Sequence, residues 1–188
     1  MGTYRWISET LRRSSCPGLG SSTFECDVRY LASQDVKAVI SLNESEHDWQ
    51  LLESRGIAHL RVPVVDHGAP TLEQMVDITA FWRFNAVKGP VCVHCNAGQG
   101  RTGLVLACLL LLEQPGATVG AVVQQLDPLI RLTPSSRPGS WLSHKQRSFL
   151  ELWKESLSAE VIRRLLISQD SKTMSGDAKG MPARTVQS

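Results

Sequence analysis

Apolar and polar positions in the first half of the chain follow two periodicities. Residues 24–32 place apolar side chains at helical spacing, which predicts a short amphipathic helix after a Ser- and Gly-rich loop at residues 14–23. The β-branched, apolar run at residues 36–42 predicts a buried strand. A second strand is predicted over residues 57–65, at an edge or a strand end because Pro63 cannot donate a ladder hydrogen bond.

The second half of the chain contains longer helical patterns. Thr71, with Gln three residues later, forms a capping-box signature that opens an amphipathic helix. The short apolar run at residues 91–94 predicts a buried central strand. Residues 102–113 are apolar nearly all round, which indicates a helix inside the core. Two further helices are predicted over residues 118–126 and 143–157.

Strands therefore alternate with helices along the chain, and this order predicts an α/β fold with a central, mainly parallel sheet flanked by helices. We expect one domain over residues 1–157, since this length is ordinary for a single core. A terminal helix is predicted at residues 158–168. The polar, small residues 169–188 predict a disordered tail.

Composition and charge narrow the functional classes. Of the 188 residues, 42% are hydrophobic and 20% are charged, and the net charge is +2, which gives no broad basic surface for nucleic acid or an anionic membrane. The most apolar run, residues 104–112, is too short for a membrane span of about 20 residues. Five cysteines in no regular framework favour reduced thiols. With no apolar secretory segment near Met1, we expect the cytoplasm, with the nucleus as an alternative.

Candidate chemistry is concentrated between the predicted strand at 91–94 and the helix after it, in the sequence His-Cys-Asn-Ala-Gly-Gln-Gly-Arg-Thr-Gly. A glycine-containing loop that runs from a strand into a helix suits an anion, because the helix N-terminus offers unpaired N–H groups and partial positive charge. Gly98 and Gly100 allow the backbone to curl so that successive amides point inward. The expected phosphate-binding residues are Asn96, Ala97, Gly98, Gln99, Gly100 and Arg101.

Two side chains make this loop reactive as well as anion-binding. Cys95 is the first residue of the loop, and the amides and a nearby cation favour its thiolate form. Arg101, six residues later, presents a planar fork that can bind two phosphate oxygens. An in-line nucleophile together with donors for the equatorial oxygens is what phosphoryl transfer requires.

The sequence His-Cys-x5-Arg-Thr-Gly resembles the signature of the protein tyrosine phosphatase superfamily. The resemblance implies the corresponding fold, a phosphocysteine intermediate on Cys95 and phosphate binding by Arg101. It implies that Thr102 assists departure of the thiolate in the second step. It also implies that His94 supports the loop structurally and that neither a metal nor a cofactor takes part.

The superfamily also uses an upstream aspartate as general acid. Asp66 lies 29 positions before Cys95, between a predicted strand and the capped helix, and its surroundings resemble the acid loop of small atypical dual-specificity phosphatases. The resemblance makes Asp66 the general acid, and then the base for water attack. An Arg-Pro-Gly-Ser segment followed by Gln146 is similar to the same group, which makes Gln146 a supporting residue. The resemblance covers residues 6–153.

Simpler interpretations remain open at this stage. Cys95 could be a buried structural thiol, and Asp66 an ordinary turn or cap residue. Cys92 and Cys95 form a C-x-x-C pair, as in zinc or redox sites, but no second pair exists for zinc and a redox motif would not explain the arginine. His59 and His67 are interpreted as loop or surface residues, although His67 is a candidate for substrate contact.

The resemblance implies dual specificity toward phosphotyrosine and phosphoserine or phosphothreonine, because so short a chain has little room for loops that deepen a tyrosine pocket. The expected partner is a phosphorylated protein. A phosphoinositide or RNA 5′-phosphate substrate is the alternative, and neutral Asn96 and Gln99 argue against a polyphosphorylated head group. A phosphate-binding module without turnover, arsenate reduction and sulfur transfer are further alternatives.

Overall fold

The computed structural model describes residues 4–18, 23–44, 49–131 and 138–158. These residues form five strands and six helices. The strands are β1 (Arg5–Trp6), β2 (Leu11–Ser14), β3 (Ala38–Ser41), β4 (Ala58–Arg61) and β5 (Val91–His94). The helices are α1 (Phe24–Ser33), α2 (Gln50–Glu53), α3 (Leu72–Ala86), α4 (Gly100–Glu113), α5 (Val119–Ile130) and α6 (His144–Ser158).

The strands build one sheet in the order β1-β2-β5-β3-β4, in which only β1 is antiparallel to its neighbour. One face packs against α3 to α6 and holds the larger core. The other face packs against α1 and α2 around a smaller cluster. The predicted α/β fold with a mainly parallel sheet flanked by helices is confirmed. The strand predicted at residues 91–94 is central and buried, as expected.

The edge of the sheet that contains β1 and β2 was not predicted. The expected loop at residues 14–23 is wrong at its first residue, because Ser14 ends β2. The sequence of β2 lacks the apolar pattern of a buried strand because it contains Arg12 and Arg13. Both arginines are nevertheless fully buried. Their guanidinium groups donate to backbone carbonyls, which satisfies part of their hydrogen-bonding capacity inside the protein.

Helix boundaries differ most at α5, which continues to Ile130 rather than ending near residue 126. The proline that would normally end it, Pro128, is exposed, and so is Gln124 one turn earlier. The carbonyl that loses its helical partner therefore faces water, where it can be hydrogen-bonded at little cost. Strand β4 is shorter than predicted, because only residues 58–61 pair with β3.

Helix α3 begins as predicted. The Thr71 hydroxyl accepts from the Gln74 N–H, and the Gln74 side chain accepts from the Thr71 N–H. The terminal helix predicted after residue 158 and the tail predicted at 169–188 lie outside the described residues. Within the described ranges, no helix is both long and apolar enough to cross a membrane.

Candidate active site

The loop of residues 95–99, called the phosphate loop because the sequence predicts that it binds phosphate, connects β5 to α4 and curls over the end of β2. Cys95 follows β5 directly and is only 3% exposed. Gly98 has φ +70°, and a Cβ atom there would lie 2.3 Å from the Ser14 carbonyl oxygen. The close approach and the left-handed backbone both require glycine. The Cys16 N–H donates to the Asn96 carbonyl at 2.9 Å and ties the other side of the loop to the segment after β2.

Arg101, in the first turn of α4, extends beneath the loop toward the segment after β4. Its side chain is 3% exposed. Nη1 donates to the Val64 carbonyl at 2.7 Å, and Nη2 lies 3.0 Å from Asp66 Oδ1. These contacts fix the plane of the guanidinium group by anchoring both of its terminal nitrogens to one loop. The structure thus brings together Arg101 and the aspartate that was predicted from the sequence.

Asp66 lies on an exposed turn at the mouth of the site, and its side chain is 66% exposed. Its Oδ1 also accepts from the N–H of His67, a non-glycine residue with φ +58°. Left-handed backbone at a non-glycine residue is strained and is concentrated at functional sites. The turn therefore projects the carboxylate into the site from a fixed backbone.

The N-terminus of α6 holds the segment of residues 64–68 in place, and this segment is called the acid loop because it contains Asp66, the predicted general acid. The Ser143 hydroxyl donates to the His67 carbonyl at 2.7 Å, and Gln146 Nε2 donates to the Gly68 carbonyl at 2.9 Å. Gln146 is buried and also lies against Gly100, where an added Cβ would be 3.2 Å from its Oε1. Gln146 therefore contacts both the acid loop and the start of α4.

His94 belongs to a hydrogen-bonded row that crosses three strands. The Ser41 hydroxyl lies 2.7 Å from Nε2 of His94 and 3.0 Å from Nε2 of His59. The register of β3 with β5 places Ser41 opposite His94. The ring of Trp49 stacks on His59, with centroids 4.1 Å apart. The interpretation of His59 as a loop or surface residue is wrong, because it is half-buried on β4.

Hydrogen-bonding rules set the direction of this row. His94 Nδ1 lies 3.2 Å from the Cys95 carbonyl, which can only accept, so Nδ1 carries the proton. When the His94 ring is neutral, its Nε2 is an acceptor, so the Ser41 hydroxyl donates to it and accepts from His59. Burial lowers the pKa of His59 to about 3, with further lowering by His94 and Arg61, which keeps His59 uncharged at neutral pH.

Thr102 and the other cysteines occupy distinct positions around the loop. The Thr102 hydroxyl is buried and has no hydrogen-bond partner among the described residues. Cys92, on β5, packs in the smaller core cluster, whereas Cys95, just after β5, packs in the larger one, so the two thiols lie on opposite faces of the sheet. Burial raises the pKa of Cys92 to about 11.

A shallow cavity of about 310 Å³ lies beside the aspartate. Its lining combines an exposed valine with basic side chains from the acid loop and from the start of α6. The lining residues are Val65, Asp66, His67, Gly68, Ser143, His144 and Lys145.

The sequence analysis missed four polar residues that support the site: Arg13, Ser41, His59 and Ser143. Only Ser143 has a sequence signal, because a serine followed three residues later by Gln146 is a capping-box pattern. The other three lie on strands, and nothing in the local sequence shows which strand neighbour each will face. Their contacts depend on sheet order and register.

A buried strand leads through a curled loop into a core helix, with Cys95 at the start of the loop and Arg101 just after its end. This arrangement defines a protein of the tyrosine phosphatase superfamily, and the comparisons with known proteins agree. The chain belongs to the family described as polymorphic toxin system, DSP-PTPase phosphatase, whose sequence model matches residues 17–114, just over half of the chain. It therefore belongs to the dual-specificity and tyrosine phosphatase type within that superfamily.

Two curated relatives show the range of this similarity. The tyrosine-protein phosphatase cdc-14 of Caenorhabditis elegans is 30% identical over 125 residues, which cover 66% of this chain and 16% of the relative. The phosphatidylglycerophosphate phosphatase PTPMT2 of Arabidopsis thaliana is 33% identical over 127 residues, covering 63% of this chain and 55% of the relative. The chain thus spans about half of one relative and a small part of the other.

Solved structures share the fold at low identity. The crystal structure of PTPMT1 matches with a TM-score of 0.70 and 22% identity, covering 85% of this chain and 99% of that chain. Tk-PTP in its active form gives 0.67 and 22%, covering 82% and 97%. The core catalytic domain of the PP-IP phosphatase SIW14 from S. cerevisiae gives 0.65 and 16%, covering 89% and 93%.

Proposed function

We propose that this chain hydrolyses phosphate monoesters on proteins, on phosphotyrosine and also on phosphoserine and phosphothreonine, through a phosphocysteine intermediate on Cys95. One observation carries the proposal. Arg101 is buried at the phosphate loop and lies 3.0 Å from Asp66, so a phosphate-binding cation and a proton donor meet at one site. Cys95, which opens the same loop, supplies the nucleophile.

In the first step, the Cys95 thiolate attacks phosphorus in line with the ester oxygen. The S–P bond forms as the P–O ester bond breaks, and Asp66 gives its proton to the leaving oxygen. The Arg101 fork and the loop amides bind the equatorial oxygens, where charge accumulates. The clamp formed by Ser143 and Gln146 keeps the acid loop within reach.

In the second step, the oxygen of a water molecule attacks phosphorus while Asp66 accepts a proton from that water. The S–P bond breaks and inorganic phosphate leaves. The buried Thr102 hydroxyl, which has no partner among the described residues, is suited to donate to the departing sulfur. The first step needs an ionised Cys95 and a protonated Asp66, and we expect a mildly acidic optimum.

The Asp66–Arg101 ion pair must open when a phosphate enters. Phosphate oxygens and the Asp66 carboxylate compete for the same guanidinium nitrogen. Removing the charge of Asp66 therefore weakens one competitor for Arg101 and also removes the proton donor. The two consequences can be measured separately, as oxyanion affinity and as turnover.

The test is hydrolysis of a small aryl phosphate with chelator present, comparing wild type with Cys95→Ser and Asp66→Asn. We expect an active wild type, no turnover by Cys95→Ser, and a loss of about 10²–10⁴-fold for Asp66→Asn with tungstate binding retained. Glu53→Gln, which changes an exposed carboxylate on α2, is the matched control and should keep full activity. A fully active Cys95→Ser variant would overturn the proposal.

A non-protein phosphate ester is the second candidate, and two observations favour it. The PTPMT2 relative is named for a phospholipid substrate. The cavity beside Asp66 combines exposed Val65 with His144 and Lys145, which suits an ester that has both apolar and anionic parts. Comparing kcat/KM for phosphopeptides, phosphatidylglycerophosphate vesicles and 5′-phosphorylated RNA decides between the candidates. A preference of at least tenfold for vesicles or RNA would overturn the protein assignment.

A further inference from the structure

Arg13 lies behind the phosphate loop, on the side away from the mouth of the site. It occupies β2, opposite Val93 in the parallel pairing with β5, and is 0% exposed. Its Nη1 donates to the Leu129 carbonyl at 3.2 Å and its Nη2 to the Ala97 carbonyl at 3.4 Å. A Cβ atom on Gly98 would be only 2.7 Å from Nη2, so the guanidinium group packs directly against the loop backbone.

This cation is buried without a carboxylate. Within the described parts of the chain, Arg13 forms no ion pair with Asp or Glu, and its partners are carbonyl oxygens. Burial lowers the pKa of Arg13 to about 10, while the charge of a Cys95 thiolate acts in the opposite direction. Arg5, its cross-strand neighbour, lowers the pKa and a Cys92 thiolate would raise it. The group therefore stays charged at neutral pH.

A buried, unpaired guanidinium is costly, because desolvation is not repaid by a counter-ion. The Leu129 carbonyl, near the C-terminal end of α5, supplies only partial negative charge. The full negative charges on the other side of the loop are those of the proposed chemistry: the thiolate and the phosphate dianion. Strong burial of a charge that lacks a structural partner is typical of functional sites.

We propose that Arg13 is a positioning residue that stabilises, through the back of the phosphate loop, the negative charge of the Cys95 thiolate and of the bound phosphate. It acts without touching the substrate, because the loop backbone lies between them. This inference rests on the proposed role of Cys95. Interaction between two charged groups is reciprocal. The Cys95 thiolate favours the charged form of Arg13, so a charged Arg13 favours the thiolate form of Cys95 to the same extent.

The neighbouring arginine provides a matched control. Arg12 lies on the same strand and is 1% exposed, but its side chain points to the other face. Its guanidinium carbon lies 3.2 Å from the centroid of the Trp6 ring, and its Nη1 donates to the carbonyls of Ser8 and Leu11. Both arginines are buried cations on β2, and only Arg13 contacts the phosphate loop.

The experiment measures the pH midpoint of Cys95 alkylation by iodoacetamide, read at Cys95 by mass spectrometry, together with tungstate affinity. Arg13→Gln, which keeps polar contacts but removes the charge, should raise the midpoint by about one pH unit and weaken tungstate about tenfold. Arg13→Lys, which keeps the charge, should restore most of both. Arg12→Gln should leave the midpoint within about 0.3 pH unit, and the tungstate affinity within about twofold, of wild type.

The outcomes separate this inference from the proposed function. A folded Arg13→Gln variant with an unchanged midpoint overturns the inference, as does an equal shift in Arg12→Gln, which indicates a general packing effect. A wild-type midpoint like that of an ordinary thiol contradicts the proposed role of Cys95 instead. If Arg13→Gln fails to fold, wild-type NMR decides: the Arg13 Nε resonance should titrate with Cys95 and should lose that step in Cys95→Ser. A missing step in wild type overturns the inference.

Discussion

At the scale of single residues, the site is supported by buried polar side chains whose partners define their protonation. The row of His59, Ser41 and His94 is the clearest case. The Cys95 carbonyl requires a proton on Nδ1 of His94, and when that ring is neutral the Ser41 hydroxyl donates to His94 and accepts from His59. A charged His59 would place a positive charge in a desolvated row near Arg61, so the fold favours the neutral ring of His59.

This neutrality predicts a pH dependence of stability. The pKa of His59 is lowered to about 3 in the folded protein, from about 6.5 in an unfolded chain. The unfolded state therefore binds the extra proton first, and stability falls as pH drops from 6.5 toward 3. Between pH 7.5 and 5.5, wild type should lose about 1 kcal/mol of unfolding free energy that His59→Gln does not lose. Urea unfolding at both pH values measures this, and parallel losses in the two proteins would contradict it.

At the scale of elements, the position of α6 against α4 fixes the position of the acid loop relative to the phosphate loop. The segment before α6 packs the ring of Trp141 over Gly103 of α4, and a Cβ there would lie 2.4 Å from the ring. The α6 N-terminus then reaches the acid loop through Ser143 and Gln146. Close packing in one place thus determines where Asp66 stands relative to the phosphate loop.

Alanine substitution in this contact tests packing against helix propensity. Alanine favours a helix over glycine by up to about 1 kcal/mol, but overpacking costs about 1–3 kcal/mol. Because the neighbour is a rigid ring, we expect Gly103→Ala to be destabilising by about 1–2 kcal/mol in urea unfolding. Gly120→Ala in α5 is the control, since only the Thr118 hydroxyl lies near its Cβ, at 3.9 Å. It should be neutral or slightly stabilising. Equal effects at both positions would contradict the packing argument.

At the scale of the whole molecule, the site joins parts of the chain that are far apart in sequence. The end of β2, the acid loop after β4, the phosphate loop after β5 and the start of α6 meet at one edge of the sheet. The loops follow the carboxyl ends of parallel strands, where α/β proteins generally bind ligands. A ligand bound there contacts several elements at once. The unfolded chain lacks this arrangement, so the ligand binds only the folded state.

We therefore expect an oxyanion to stabilise the whole domain. Tungstate at about 100 times its dissociation constant should add about 2.7 kcal/mol, which corresponds to a rise in Tm of roughly 5–10 °C. Arg101→Met should lose most of this rise, because its guanidinium group is the proposed ligand of the oxygens. Arg29→Met, which removes an exposed cation paired with Glu25, should keep it. Thermal unfolding measures all three, and an equal rise in the Arg101 variant would contradict the assignment.

Much of the fold followed from local patterns, for identifiable reasons. The central strand and α4 were predictable because both are apolar on every side, and the start of α3 because its capping box lies within four residues. Strand β2 was not, because two buried arginines interrupt its apolar pattern. The extension of α5 was missed because Pro128 is tolerated only where the freed carbonyl faces water.

The sequence by itself determined the composition of the site. Cys95, Arg101 and the glycines lie within one short segment, so their spacing alone predicts an anion-binding loop with a nucleophile and a cation. Only the tertiary structure decided which buried groups surround that loop. Sheet order places Arg13 behind it, register places Ser41 opposite His94, and the packing of α6 places Gln146 at the acid loop. Such contacts join residues distant in the chain, and local periodicity carries no information about them.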